Sequence, residues 1–433
     1  LSDDTKAVLQ VSSAIEREFS HDLIREVTGL SEKELLAHLT ALKDAELIYE
    51  RGISPQSSYI FRHALTREVV YESILAKRRR KLHKQIGSTI EEIHKNDLVE
   101  HYEILSEHFY QSNDYVKAAD YSKKAARKAE KSASLPDAIE HMRKRIFCLE
   151  KLSDSDEKNK DLVNARTFLG LYLSQLNHWA EAWDAVKPVV NLARDSRYKK
   201  RLGQILSAKG CYHGFVEEDS QKAFEALDES LRIANEENDF ITLILSGMWK
   251  GVIHFSECNY DKVLSSFKMG IDLCIMAEST WGIAIQKAQQ AFFTYFPQGK
   301  VKTLTELSLE ALEIAEGSGD PLSRGVSYTA YGCARYIKGD IKEAKKFVRK
   351  GRDLCERVGF IGWAAVAHEC LGKAYFCMKD YEISTECWLK IIRSHKAGRI
   401  NPSLVSRCKL PLILNAVMLG ERDVELEPLR KIA

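Results

Sequence analysis

The chain has 433 residues, of which 45% are hydrophobic and 29% are charged, and its formal net charge is +2. This near balance excludes a global attraction to nucleic acid or to an anionic membrane, and the composition is that of an ordinary soluble protein. No apolar run approaches the roughly 20 residues that a membrane-spanning helix needs. No signal peptide is visible. The sequence begins at Leu1 without an initiator Met and ends at Ala433 inside a helical pattern, so we expect a fragment of a longer protein.

The 10 cysteines include no CxxC pair, and most lie in amphipathic helical patterns, where a free cysteine acts as a small apolar residue. This usage indicates a reducing cytoplasm rather than a disulfide framework. Cys370 and Cys377 share one predicted helix face, but their spacing is not that of a metal or redox site. We therefore expect no metal and no cofactor in this fragment.

Residues 1–62 predict a small module of three helices and a β-hairpin. The predicted helices cover about 4–18, 20–28 and 31–45. The predicted strands cover 47–50 and 58–61, on either side of a turn at 52–55. Ser31 and Glu34 form a capping box at the start of the third helix. Three helices followed by a β-wing make a winged helix.

Many winged helices read DNA with their third helix. In this chain that helix carries two lysines, three acidic residues and a neutral histidine: Lys33, Lys43, Glu32, Glu34, Asp44 and His38. Its face is slightly acidic, which argues against DNA because phosphate attraction supplies most non-specific affinity. A DNA-binding transcriptional regulator with a peptide-sensing repeat domain is kept as the alternative function.

The helical junction at 63–97 opens on three distinctive motifs. They are Phe61-Arg62-His63, Val70-Tyr71 and Arg79-Arg80-Lys81-Leu82-His83. In this order they resemble the junction of signal-transduction ATPases with numerous domains, in which a P-loop ATPase precedes a winged helix and a tetratricopeptide-type sensor array. Many such proteins carry class III adenylate or guanylate cyclases, and others carry protein kinases or transcription activators.

The resemblance implies that His63, with Arg62 beside it, senses the phosphate of a bound nucleotide, since an imidazole N–H donates to phosphate. A capping or packed histidine is the alternative. The basic run Arg78, Arg79, Arg80 and Lys81 predicts either a solvated helix face or an interface with an acidic neighbour or nucleotide phosphate. The chain has no phosphate loop and no cyclase or kinase signature, so those catalytic parts are expected outside it.

Internal repetition over 98–433 is the strongest signal. Small residues recur every 40 or 41 positions, at Gly170, Gly210, Gly251, Ala291, Gly332 and Gly372. Turn residues recur in phase with them, at 177–179, 219–220, 259–260, 299–300, 339–340 and 380–381. Two position classes with one period predict stacked helical hairpins, because one hairpin cannot bury its apolar face alone.

These units resemble the tetratricopeptide repeat. Leu371-Gly372-Lys373-Ala374-Tyr375 matches the core of its first helix, while Ala344 and Phe267 match residues of its second helix. The resemblance implies an all-α fold: a right-handed superhelical array of about eight hairpins, with the first helices on the concave face. Units of this length exceed the usual 34 residues, so each helix should be longer.

One aromatic residue recurs in each of four first helices: Phe255, Tyr295, Tyr336 and Phe376. We predict that this aromatic row binds a protein segment or small effector, with Glu369 and Lys373 as polar contacts near one end. Packing between neighbouring repeats is the alternative interpretation. No convergent set of acid, base and nucleophile indicates an enzyme. The sequence therefore predicts a non-catalytic regulatory scaffold that controls an upstream ATPase or cyclase.

Overall fold

The computed structural model describes residues 1–52, 57–195, 198–398 and 401–420, and about 81% of it is helical. The chain forms two compact units. The first holds Leu1–Lys131 and Glu140–Lys158, and the second holds Ser132–Ile139 and the described residues from Asn159 onward. The predicted divisions at 62 and 97 stay predictions. No helix in the described ranges has both the length and the hydropathy that crossing a bilayer requires.

The elements of the amino-terminal part are as follows. The helices are α1 (Asp3–Ile15), α2 (His21–Thr28), α3 (Glu32–Asp44), α4 (Ala64–Glu72), α5 (Ala76–Ile93), α6 (Tyr102–Gln111), α7 (Tyr115–Lys131) and α8 (Leu135–Glu150), with a 3-10 turn at Leu98–His101. The strands are β1 (Glu18–Ser20), β2 (Ile48–Arg51) and β3 (Ser58–Phe61).

The three strands form one antiparallel sheet in the order β1-β3-β2. The β2–β3 hairpin lies where the sequence predicts it, while residues 53–56 of its turn lie outside the described ranges. The helix predicted over 4–18 is wrong at its end, because α1 stops at Ile15 and β1 follows. Phe19 explains the strand: it is buried between two exposed neighbours and stacks on Tyr59 at 5.8 Å.

Helix α3 begins with the predicted capping box. The backbone N–H of Glu34 donates to the Ser31 hydroxyl, and the backbone N–H of Ser31 donates to the Glu34 carboxylate at 3.0 Å. Two otherwise unpaired donors at the helix start are thereby satisfied, which fixes where the helix begins. The inward side of α3 packs Leu35, Leu39 and Leu42 into the core of the first unit.

The remaining elements follow in hairpins. They are α9 (Asp156–Gln175), α10 (Trp179–Val186), α11 (Val190–Ala193), α12 (Lys199–Phe215), α13 (Ser220–Glu236), α14 (Phe240–Ser256), α15 (Tyr260–Met276), α16 (Thr280–Gln290), α17 (Val301–Ser318), α18 (Pro321–Lys338), α19 (Ile341–Arg357), α20 (Ile361–Cys377), α21 (Tyr381–Gly398), α22 (Pro402–Arg407) and α23 (Lys409–Met418). A 3-10 turn covers Lys187–Val189 and a π-helical turn covers Ala291–Tyr295.

Six successive hairpins pair α9 with α10, α12 with α13, α14 with α15, α16 with α17, α18 with α19, and α20 with α21; the first member of each pair is called a first helix below. A residue in the left-handed conformation marks each hairpin turn, which is a common way for a helix to end. These residues are Asn177, Glu218, Cys258, Gly299, Gly339 and Lys379, with φ between 55° and 90°. These backbone positions recur every 40 or 41 residues, which confirms the predicted period.

Close helix contact explains the small residue of each repeat. A Cβ atom on Gly332 would lie 2.4 Å from Val348 Cγ2 and 2.9 Å from the Val348 backbone nitrogen. Asp320 caps the start of α18, since its carboxylate accepts from the Ser323 N–H at 2.6 Å. Asp340 occupies the cap position of α19, but its side chain instead accepts a bond from Arg335.

Candidate functional site

The predicted aromatic row lies on consecutive first helices. Phe255 is on α14, Tyr295 ends the π-helical turn, Tyr336 is on α18 and Phe376 is on α20. All four side chains are partly exposed, so each packs against protein and still presents surface to solvent. Phe255 packs on Phe293 and Phe376 on Tyr381, while Lys300 lies over the Tyr295 ring. Among the described residues, no ring pair joins two members of the row. The row is thus a series of separate rings on one scaffold.

Two consecutive phenylalanines support the centre of this row. The Phe293 ring centroid lies 5.1 Å from that of Phe255 and 6.1 Å from that of Phe267. Phe292 and Phe293 also contact Trp363 of α20, with centroids 5.4 Å and 6.1 Å apart. The fourth hairpin is therefore joined directly to the sixth by aromatic packing.

A π-helical turn carries these two phenylalanines. A π turn has hydrogen bonds between residues five apart instead of four, and such turns occur frequently at functional sites. Ala291, the small residue of this repeat, is fully buried, and Phe292, Phe293 and Tyr295 in the turn are all partly exposed. Just before it, the buried side-chain oxygens of Gln286 and Gln289 accept no hydrogen bond from the described residues.

The carboxyl-terminal end of the row is more polar. Glu369 and Lys373, which the sequence suggests as polar contacts, form an ion pair with each other at 2.6 Å and remain partly exposed. Phe376 packs edge-on against Tyr381 at 5.3 Å, and the Tyr336 hydroxyl lies 4.0 Å from Cys377 Sγ. A partner at this end would meet a neutralised ion pair rather than a lone charge.

Two contacts connect hairpins that are distant in sequence. His178 Nε2 lies 3.1 Å from the Gly359 carbonyl oxygen, across 181 positions. The Asn401 N–H donates to the Phe215 carbonyl at 2.6 Å, and the Ser403 N–H donates to Glu218 at 2.9 Å. In the first case the turn of the first hairpin meets the start of the sixth, and in the second the turn of the second hairpin meets the start of α22, which follows the sixth.

The junction candidates lie on the surface of the first unit. His63 is the exposed N-cap residue of α4, and its side chain makes no capping bond. Arg62 is also exposed and pairs with Glu46 at 2.6 Å. In the basic run the Arg79 guanidinium packs over the Tyr71 ring at 4.7 Å, whereas the other three members are exposed: Arg78, Arg80 and Lys81. His63 therefore occupies the N-cap position of α4 without making the side-chain hydrogen bond that a capping role requires.

Beneath the basic run is a buried histidine pair. His83 Nδ1 lies 2.9 Å from His108 Nδ1, and the Tyr71 hydroxyl lies 2.8 Å from His83 Nε2. One imidazole must donate and the other accept, so the two rings cannot both be protonated while this bond is made. Burial lowers the pKa of His83 to about 4 and that of His108 to about 3. Within the described residues, no group of three potential metal ligands is found.

Comparisons with known proteins bear on the fold. No curated protein matches the sequence. The family model described as anaphase-promoting complex subunit 5 matches residues 90–209 and 208–259. Among solved structures, a signal-transduction ATPase with a tetratricopeptide repeat sensor from Pyrococcus horikoshii is 14% identical with a TM-score of 0.49. That match covers 100% of this chain but only 62% of the ATPase.

A Rap protein complexed with competence and sporulation factor is 12% identical, with a TM-score of 0.53 over 72% of this chain and 86% of the Rap chain. A tetratricopeptide repeat protein from Parabacteroides merdae is 13% identical, with a TM-score of 0.39 over 69% of this chain and 98% of that protein. The chain carries a tetratricopeptide-like helical array. At these identities the likeness concerns the fold alone.

Sequence reasoning missed the residues that support the row. Trp179, Phe293 and Trp363 lie outside the repeated aromatic position, so the period does not select them. One available signal was the run Phe292-Phe293. Two consecutive residues of a regular helix point in different directions, so this pair indicates aromatic contacts on two sides of the helix. The Gly359–Gly362 segment was a second signal, because two glycines at a helix start indicate close backbone contact.

Proposed function

We propose that this chain is a non-catalytic regulatory and sensor scaffold that binds a protein segment or small effector along the aromatic row. The observation that carries the proposal is the partial exposure of Phe255, Tyr295, Tyr336 and Phe376 on consecutive first helices. Aromatic rings that are already packed on one side lose little rotamer freedom on binding, which favours their use as anchors. The Rap structure supports this proposal, since that protein holds competence and sporulation factor.

A protein segment is favoured over a small effector by the spacing of the site. The four rings stand on four separate hairpins, so a ligand must be extended to reach more than one of them. Extended segments with apolar side chains suit repeat arrays, whose surfaces continue from one repeat to the next. The preferred ligand therefore has aromatic or aliphatic residues at intervals, with polar groups toward the Glu369–Lys373 pair.

The amino-terminal part is proposed to be a winged helix that links the array to an upstream ATPase, itself attached to an adenylate or guanylate cyclase. Its order of helix, strand, helix, helix, strand, strand supports this assignment. The exposed His63 and Arg62 would face nucleotide phosphate, and Arg78, Arg80 and Lys81 would form a basic interface with the ATPase. In such an arrangement, binding at the array is relayed through α4 and α5.

DNA binding is the weaker candidate for the same module. Of the two lysines on α3, Lys43 already pairs with Glu50 at 2.6 Å, which leaves Lys33 as the exposed lysine on that helix. The exposed Glu32 and Glu34 stand beside it and repel phosphate. These contacts favour a protein neighbour over a nucleic acid.

Site-specific cross-linking tests the proposal. A random peptide library displayed on phage is selected against the purified chain, and benzoylphenylalanine is then placed at Tyr336 or, as a control, at Ile275. Ile275 is 55% exposed on α15, a second helix. The selected peptide should cross-link at position 336 and not at 275. Cross-linking at 275 alone, or peptide binding without cross-linking at 336, would contradict the proposed site.

A further inference from the structure

We infer that the array is held closed by a clasp, and that opening this clasp admits a partner to the aromatic row. The clasp consists of two contacts: Asn177 and His178 with Gly359–Gly362, and Phe215 and Glu218 with Asn401–Ser403. This inference rests on the proposed function, because it assigns the regulation of the same site.

The first contact is built for close approach. A Cβ atom on Gly362 would lie 2.0 Å from Asn177 Oδ1 and 2.9 Å from its Cγ, so any other residue there must displace the turn. Asn177 is 6% exposed, and its backbone is in the left-handed conformation with a φ of 64°. Asparagine tolerates this left-handed conformation better than most residues do. The contact therefore requires a glycine at position 362.

The second contact shares the sequence offset of the first. Asn401 and Ser403 donate backbone N–H groups to the Phe215 carbonyl and the Glu218 carboxylate, and the Ser403 hydroxyl also donates to Glu218. Here the turn of the second hairpin meets the start of α22, five helix pairs further on, just as the turn of the first hairpin meets the start of the sixth. Two contacts with one offset indicate a regular closure of the superhelical turn rather than a chance encounter.

The clasp lies directly against the apolar cluster that contains Trp179 and Trp249. Trp179 follows His178 and packs on Phe215 at 5.1 Å and on Trp249 at 4.5 Å. Ile361 belongs to the same cluster, and Trp363 covers Phe292 and Phe293 from the other side of the clasp. Separating the two sides of the clasp therefore uncovers the rings that support the row.

Closure has a quantitative consequence for binding. If only an opened array binds fully, the apparent dissociation constant equals the intrinsic one divided by the open fraction. An open fraction of about one-tenth weakens apparent binding about tenfold, and a variant that opens the clasp recovers this factor. Regulation then amounts to changing the open fraction.

The test uses two opening variants with matched controls. Gly362→Val clashes with Asn177, and Gly317→Val is its control because a Cβ there would meet nothing within 4 Å. Glu218→Ala removes the acceptor for Ser403, and Glu217→Ala is its control because Glu217 pairs with His213 instead. Amide hydrogen exchange is measured for peptides that include Asn401 and Ser403, and the phage-selected peptide is titrated into each variant.

The clasp predicts at least about tenfold faster exchange of the Asn401 and Ser403 amides in both opening variants, with peptide affinity raised by about three- to tenfold. Unchanged exchange in the surface variant Glu218→Ala overturns the clasp even if Gly362→Val fails to fold. Faster exchange with unchanged or weaker affinity overturns its control of binding. Faster exchange with no peptide binding in any variant, wild type included, upholds closure and refutes the proposed function instead.

Discussion

His178 and Gly359 are hydrogen-bonded partners at 3.1 Å although 181 positions separate them in the chain. Contacts of this kind are rare in repeat arrays, in which each unit is expected to meet mainly its neighbours. The bond therefore depends on the rotation between successive hairpins, since it forms only if the intervening hairpins stack with a defined rotation. It also places the loop before Trp179 against the start of the helix that carries Trp363.

Replacement of Gly332 by alanine should destabilise the array by about 1–3 kcal/mol, because the new Cβ meets both the side chain and the backbone of Val348. Urea unfolding followed by circular dichroism measures the change. Gly317→Ala on α17 is the matched control and should be neutral or slightly stabilising, because its Cβ enters open space. Equal stability of the two variants would show that helix contact does not require glycine at 332.

The buried histidine pair predicts a loss of stability in acid. In the unfolded chain both imidazoles titrate near 6.5, whereas burial lowers the pKa of His83 to about 4 and that of His108 to about 3. Between these values the unfolded state binds more protons, so the free energy of unfolding rises with pH and falls as the pH drops from 6.5 toward 4. Each histidine contributes a slope of up to about 1.4 kcal/mol per pH unit.

The replacement His108→Gln tests this slope. It removes one titrating group and should lower the slope of the unfolding free energy against pH by up to about 1.4 kcal/mol per pH unit, as measured by urea unfolding at several pH values. His254, His368 and His395, whose pKa values burial also lowers, keep their own contributions. Glu107 favours protonation of both histidines, while Arg67 opposes it, so these two residues stay unchanged in the experiment. His63→Gln, at an exposed position outside the pair, is the control and should keep the wild-type slope. An identical slope in both variants contradicts the assignment.

Much of the fold follows from the sequence because the repeat is local. The small residue at 332 and the turn at Gly339 act within one hairpin, so their spacing alone predicts it. The Phe19 strand was missed because three residues carry too little periodicity to compete with the preceding helix. The pairing of Phe293 with Trp363 depends on the rotation between hairpins, and no single repeat encodes that quantity.

Affinity for DNA should be weak and independent of base sequence. The exposed face of α3 sets Lys33 between Glu32 and Glu34, so it offers little attraction to phosphate. Fluorescence anisotropy with labelled duplexes of different sequence, at physiological and at low salt, measures this affinity. We expect binding only at low salt and with no preference among duplexes. Sub-micromolar, sequence-selective binding at physiological salt would favour the transcriptional regulator instead.

The central claim is that the aromatic row binds an extended protein segment, and Tyr336→Ala tests it most directly. Calorimetric titration with the phage-selected peptide should show affinity reduced about tenfold or more, as expected for an aromatic anchor. Met276→Ala, at a residue 70% exposed on a second helix, should bind as the wild type does. Both variants must first show wild-type helical content at the assay temperature. Undiminished binding by folded Tyr336→Ala, or an equal loss in Met276→Ala, contradicts the account.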